Sequence, residues 1–272
     1  MATRSKPGMT RWYHPMALAW TAYRVLSAAN VTGMFDRREL MAALDPFNQT
    51  DFKDHHDLSG EKDVWLDYVA DTGDGWWSTY AVARLLAAET LKVEGAPVPL
   101  PRGRVLVFGG DQVYPTPSDE AYTDRLNDPF EAANKQPAAV GSYQQLTGRL
   151  HGAEVYAVPG NHDWYDGLTS FTRWFCGRRP ERGELDATRG HYVCGRLSKQ
   201  TRSYFALKLP GKWWLCAVDV QLDNWIDDEQ MAYFSHLAAE VMEEGSNILL
   251  CVPNPQWELV ADESPRKAFN SL

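Results

Sequence analysis

Val155-Tyr156-Ala157-Val158-Pro159-Gly160-Asn161-His162-Asp163-Trp164-Tyr165 decides how the rest of the chain is read. The apolar run at its start predicts a strand buried on both faces, as in a parallel sheet covered by helices. Pro159-Gly160 ends that strand in a turn. Just beyond the turn stand an amide, an imidazole and a carboxylate in a row. Two other stretches share the design. Val105-Leu106-Val107-Phe108 runs into Gly109-Gly110-Asp111, with Tyr114 behind it, and Val64 to Ala70 delivers Asp71 to the turn Thr72-Gly73-Asp74-Gly75. Three strands ending in glycine-flanked polar residues describe an open α/β sheet with a site outside its carboxyl edge.

Outward from these strands, Ser78 is expected to cap a helix over Thr79–Leu91, with Ala81, Leu85, Leu86 and Ala88 toward a core. The Pro-rich link 95–101 then leads to the Val105 strand, which makes a βαβ unit. Residues 115–137 read as a polar loop offering Tyr122, Arg125 and Phe130 to a substrate, and 142–152 and 167–175 as helices. Residues 177–201 read as an excursion. Ser203–Leu209, Pro210-Gly211 and Trp213–Val220 form a hairpin pattern. Residues 227–243 read as an amphipathic helix with Met231, Phe234, Leu237 and Val241 on one face, and 247–252 as a buried strand.

Upstream, 1–7 reads as a tail, and 15–29 as a helix carrying Met16, Leu18, Trp20, Tyr23 and Leu26. A second helix is expected over 37–44. The stretch 46–62, with His55-His56 among acids, reads as a solvated loop, because adjacent residues diverge on any regular element. The expected division is therefore a tail and helical cap over 1–62 and a main domain over 63–272. The helix at 15–29 reads as that cap, with a surface-lying amphipathic helix as the other reading.

The 272 residues suffice for one large core. A net charge of −9 repels polyphosphate backbones and argues against nucleic acid as a partner, while bound metal would still admit a small phosphorylated substrate. Cys176, Cys194, Cys216 and Cys251 form no CxxC pair, which argues against a zinc ribbon or thioredoxin-like motif; Cys176 and Cys194 flank a polar loop and are the candidate pair, while the favoured reading is a reduced, cytoplasmic protein. No segment is apolar and long enough to predict a transmembrane span.

One carboxylate at a strand end ordinarily caps a helix or closes a turn. Three in series, with Asn and His oxygens and nitrogens beside them, suit divalent metals. Gly110-Asp111 and Gly160-Asn161-His162-Asp163, behind an Asp-ended strand, resemble the calcineurin-like metallophosphoesterases over roughly residues 63–257. The resemblance implies an α/β fold: a metallophosphoesterase-type β-sandwich flanked by helices in four layers, α/β/β/α, incomplete at its C-terminal end. It implies a metal-bound hydroxide that hydrolyses phosphate esters at a dinuclear centre of Mn, Fe or Zn ions. Asp71 would bind the first metal, Asp111 would bridge both and Asn161 would bind the second. His162 would give a hydrogen bond or proton to the substrate, with Asp163 orienting its ring.

The first motif here is Asp71-Thr72-Gly73 where the family commonly has Asp-x-His. Purple acid phosphatases share the Asp-x-Gly form and supply a tyrosine from Gly-Asp-x-x-Tyr, matched by Gly110-Asp111-Gln112-Val113-Tyr114. Tyr114 is thus either a ligand or a tyrosine packed under the loop, and Asp74 either a ligand or a turn residue. The histidine that the family places after the next strand is Asn254 here, within Pro253-Asn254-Pro255, and the Gly-His-x-His motif is not present in the sequence. The alternative reading is a catalytically impaired phosphoesterase-fold binding or scaffold module.

Overall fold

The computed structural model describes residues 6–32, 36–44, 55–176, 191–220, 222 and 225–254. The chain is mixed α/β. Helices α1 (Pro15–Thr32) and α2 (Arg37–Leu44) precede a short strand β1 (His55–Asp57) and then β2 (Leu66–Val69). Helix α3 (Trp76–Ala87) and a two-residue hairpin, β3 (Thr90–Leu91) with β4 (Leu100–Pro101), lead to β5 (Val105–Phe108). Strand β6 is Glu154–Ala157, β7 and β8 are His191–Val193 and Arg196–Ser198, β9 and β10 are Phe205–Leu209 and Trp213–Ala217, and β11 is Asn247–Cys251.

Two larger sheets result. One has the order β2-β5-β6-β8-β7 and the other β1-β9-β10-β11. In the first, β2, β5 and β6 are parallel and in step: Leu66 lies beside Val105 and Val105 beside Glu154, while Phe108 lies beside Ala157. Their carboxyl ends therefore finish level. Strands β5 and β6 are buried throughout, as their unbroken apolar runs require. One core lies between the sheets and draws on Val105, Val107, Tyr156 and Val158 from the first and Phe205, Leu207 and Leu215 from the second. The far face of the first sheet packs Leu106, Phe108, Val155 and Ala157 against helical residues such as Tyr122, Phe130 and Phe171. The far face of the second packs Ala206, Trp214 and Cys216 against Tyr233 and Leu237. Glu154, a charge inside β6, is neutralised by Lys199 at 2.6 Å and Arg104 at 2.9 Å.

Several elements differ from the sequence reading. His55–Asp57 is a strand paired in parallel with β9, so the second sheet begins before residue 63. Residues 46–54 lie outside the described residues. Helix α3 starts at Trp76, because the Trp76 N–H bonds the Pro7 carbonyl and Ser78 bonds back to Gly75. It buries Trp76, Thr79, Ala83 and Ala87, while Leu85 is exposed. The expected loop 115–137 is helical from Asp119 to Lys135, with a wide π-type turn at Tyr122–Asn127 and Ser118 as N-cap. Its buried stripe is Tyr122, Leu126, Phe130 and Ala133, so Tyr122 and Phe130 are core residues. Of the expected excursion, 177–190 lies outside the described residues, and 191–198 is the β7–β8 hairpin, joined to β6. Met231 is exposed, and Gln230 and Tyr233 take the buried face of its helix. The helices at 15–32 and 37–44 and the β9–β10 hairpin stand where expected; β11 is a strand as expected, but it is exposed rather than buried, with Ile248, Leu249 and Leu250 open to solvent. No disulfide joins Cys176, Cys194, Cys216 or Cys251. No helix is long and apolar enough to cross a membrane among the described residues.

Candidate functional site

The in-step carboxyl ends of β2, β5 and β6 bring three loops together. Asp71 and Asp111, one on each of the first two, adopt left-handed backbone with φ 56° and φ 51°. This region is uncommon for any residue but glycine, and Asp tolerates it better than most. A non-glycine residue held there stores about 1–3 kcal/mol, and such strain clusters at functional sites. Main-chain bonds hold both loops: Asp71 N–H donates to the Gly110 carbonyl, and Tyr114 N–H to the Gly73 carbonyl. A side chain at Gly160 would collide with the Asp111 carboxylate, so glycine there lets the third loop close onto the second.

The side chains then converge. Tyr114 Oη donates to Asp71 Oδ1 at 2.5 Å and lies 3.0 Å from Asp111 Oδ2. The His162 main-chain N–H donates to Asp111 Oδ1 at 2.9 Å. The Tyr114 hydroxyl thus bridges the Asp71 and Asp111 carboxylates, and the third loop reaches Asp111 through the His162 N–H. Burial pushes the Asp111 pKa up, while the charge and N–H of His162 pull it down. Burial also drives the Tyr114 hydroxyl far up, helped by its bonds to the two carboxylates, so it keeps its proton.

His162 Nδ1 lies 2.8 Å from the Pro115 carbonyl oxygen. A carbonyl only accepts, so Nδ1 carries the proton and Nε2 is the nitrogen left for chemistry. Asn161 Nδ2 donates to the Tyr165 hydroxyl at 2.7 Å. The imidazole sits among aromatic rings, 4.5 Å from Tyr114, 4.7 Å from Tyr165 and 5.8 Å from Trp12 between centroids.

The orienting role expected of Asp163 is corrected. Asp163 is fully buried beneath the loop, where Oδ2 accepts from Gly160 N–H at 2.9 Å and Gln112 N–H at 3.3 Å. Its Oδ1 shares a 2.5 Å hydrogen bond with Tyr122. Burial, and then the charge of Asp111, push its pKa well above the carboxylate range. Pro115 orients His162 instead, and Asp163 ties the second and third loops together.

Asp74 closes a turn: its Oδ1 accepts the Thr10 N–H, and its carbonyl takes Thr10 and Arg125. These bonds belong to a strap formed by residues 6–14, which also places Gly8 against Arg125 and Lys6 over the Trp76 and Trp77 rings. The strap carries Trp12 to within 5.5 Å of the Tyr114 ring. Trp12, Pro115 and Tyr165 were not singled out from sequence. Tyr165 alone had a signal, since it follows Asn161 by one helical turn. Strand β11 brings Pro253 against Gly110, which sets Asn254 at the same edge. His191 bonds the Trp174 carbonyl and His236 lies on the helix 228–236, so both stand on other elements.

Among the described residues, no three His, Cys, Asp or Glu side chains cluster as metal ligands. The cluster here is two carboxylates and a phenol. Those three oxygens, with Tyr114 Oη within hydrogen-bond reach of both carboxylates, fit one hard cation, which would take the place of the shared proton. Asn161, on the loop of His162, would offer its amide oxygen to a second, since its Nδ2 is the atom that bonds Tyr165. No protein-family model, curated protein or solved structure matches the chain.

Proposed function

We propose that this chain is a metal-dependent phosphoesterase of the metallophosphoesterase type, with the layer order α/β/β/α and its centre on the loops after β2, β5 and β6. The observation that carries the reading is the Tyr114 hydroxyl between the Asp71 and Asp111 carboxylates, with the His162 main-chain N–H on Asp111. Asp71, Asp111 and Tyr114 would hold a first ion; Asp111 and Asn161, with Asn254 beside them, would hold a second. Mn, Fe or Zn ions there supply positive charge for phosphoryl oxygens and an acidified water as nucleophile.

The chain's own groups do the rest. His162, its ring fixed through Nδ1 on Pro115, would enter the reaction doubly protonated, give its Nε2 proton to the leaving-group oxygen and be left as the neutral Nδ1–H tautomer. Trp12, Tyr114 and Tyr165 flank that ring and limit water around it. Asp163 holds the Gly160 and Gln112 N–H groups, keeping the Asn161-His162 loop against Asp111. The substrate is a small phosphate ester, and four cysteines that no disulfide joins favour a reducing, cytoplasmic setting.

Hydrolysis of p-nitrophenyl phosphate by the metal-supplied chain tests this. Slow turnover is expected, with His162→Ala lowering kcat about 10²-fold and KM little changed. Turnover indifferent to His162, or none with any of the three metals, would overturn it.

A further inference from the structure

Helix α1 carries an apolar surface on its outer side. It packs on the turn Asp163–Asp166, and Ala17, Thr21, Arg24 and Ala28 are among its less exposed positions, spaced three and four apart. The large apolar side chains point away. Met16 is 72% exposed, Trp20 54%, Tyr23 60% and Leu26 66%, a second stripe at helical spacing, with Tyr13 at 96% extending it. Trp20 and Tyr23 stack on each other at 5.6 Å, and the Arg24 guanidinium lies 5.4 Å from the Trp20 ring. A helix on a water-facing globule ordinarily shows the reverse pattern.

Charge selects the occupant. The first acidic residue of the chain is Asp36, and Arg4, Lys6, Arg11 and Arg24 precede it in a protein of net −9; of these Arg11 is exposed just before the helix, while Lys6 lies over the Trp76 and Trp77 rings and Arg24 among the less exposed positions. A second copy of this chain meeting α1 face to face would find no carboxylate on the helix to pair with the exposed Arg11 that precedes it. Trp and Tyr are the residues that settle at the headgroup level, and flanking cations favour anionic lipid. The helix does not qualify as a membrane span. We propose that α1 lies in the plane of an anionic bilayer, its Met16-Trp20-Tyr23-Leu26 stripe seated in the headgroup boundary.

Flotation of the full chain with vesicles tests this, using phosphatidylcholine with and without phosphatidylglycerol. The expected result is co-flotation with anionic vesicles, weakened by high salt and reduced at least about tenfold by the triple variant Trp20→Ser/Tyr23→Ser/Leu26→Ser. These side chains are exposed, so the fold is expected to persist, checked by circular dichroism. Arg11→Glu, at an exposed position before the helix, is expected to lower anionic binding and leave the apolar stripe intact. Absence of wild-type flotation overturns the proposal. So does a triple variant that floats as well as wild type, or a dimer by light scattering that the same substitutions dissociate. No arm of the assay depends on metal or turnover.

Discussion

The two halves of the strand-end site are built differently. Around Asp71, Asp111 and Tyr114, side-chain oxygens meet one another, and two of the three residues sit in left-handed backbone. Around Asn161 and His162, the side chains meet a tyrosine hydroxyl and a main-chain carbonyl, and the loop is tied down from beneath by Asp163. The first half is two carboxylates bridged by one donating hydroxyl, where under the proposed function a cation would take the place of the proton. The second is a clamp that fixes an imidazole and an amide. Under the proposed function, charge capture and orientation would fall to different loops, joined at Asp111.

Substitutions should separate the halves. Asp71→Asn is expected to weaken binding of the first ion by about 10²-fold, read by isothermal titration with Mn²⁺, because it removes a ligand charge from the oxygen cluster. Asparagine tolerates left-handed backbone, so metal-free stability should hold. An unchanged affinity would mean that the oxygen cluster is not the capture site.

Asp163 distinguishes anchoring from chemistry. Asp163→Ala leaves the Gly160 and Gln112 N–H groups buried without an acceptor and should lower unfolding free energy by about 1–3 kcal/mol. Asp163→Asn keeps an acceptor oxygen and should stay folded. The sign with pH follows from burial. A carboxyl whose folded pKa is raised contributes stability below its ordinary value of 3.8 and loses it as pH rises toward the folded value. In metal-free buffer, Asp163→Asn should therefore gain on wild type as pH climbs above that range, in urea titrations across the pH series. A gap that moves the other way would place Asp163 as a charged residue.

Tyr114→Phe removes one oxygen and keeps the ring against His162, so metal affinity should fall about tenfold, less than for Asp71→Asn. An equal affinity would make the tyrosine a packing residue. The smallest effect is expected from Asn254→Ala: the first ion is held as before and only a second, weaker equivalent is lost, seen as stoichiometry in the same titration.

The strands of the site are legible because β5 and β6 are buried on both faces and leave an unbroken apolar run that stops at glycine. The in-step ends of β2, β5 and β6 follow from that. Other parts are hidden for physical reasons. Asp119–Lys135 is polar on average, and only its Tyr122-Leu126-Phe130-Ala133 stripe, diluted by Pro115, Pro117 and Pro129, betrays the helix. The strap of residues 6–14 is held by bonds of its main chain to Asp74, Trp76 and Arg125, which leave no pattern in its own side chains, so sequence does not place Trp12 at the site. The period of helix α1 reveals the helix but not which of its two stripes faces the protein, and the greasier one is outside. The partner of Asp163 is set by tertiary contact with Tyr122, 41 residues away in sequence, and not by its neighbour His162.

The central claim is that the cluster centred on Asp111 captures a metal ion. Elemental analysis of the purified chain and of Asp111→Asn, each supplied with stoichiometric Mn²⁺, Zn²⁺ or Fe and then desalted, tests it most directly. At least one retained ion per chain in the wild type, lost in the variant, is the predicted result. No retained metal in the wild type, or equal retention in both, would contradict it.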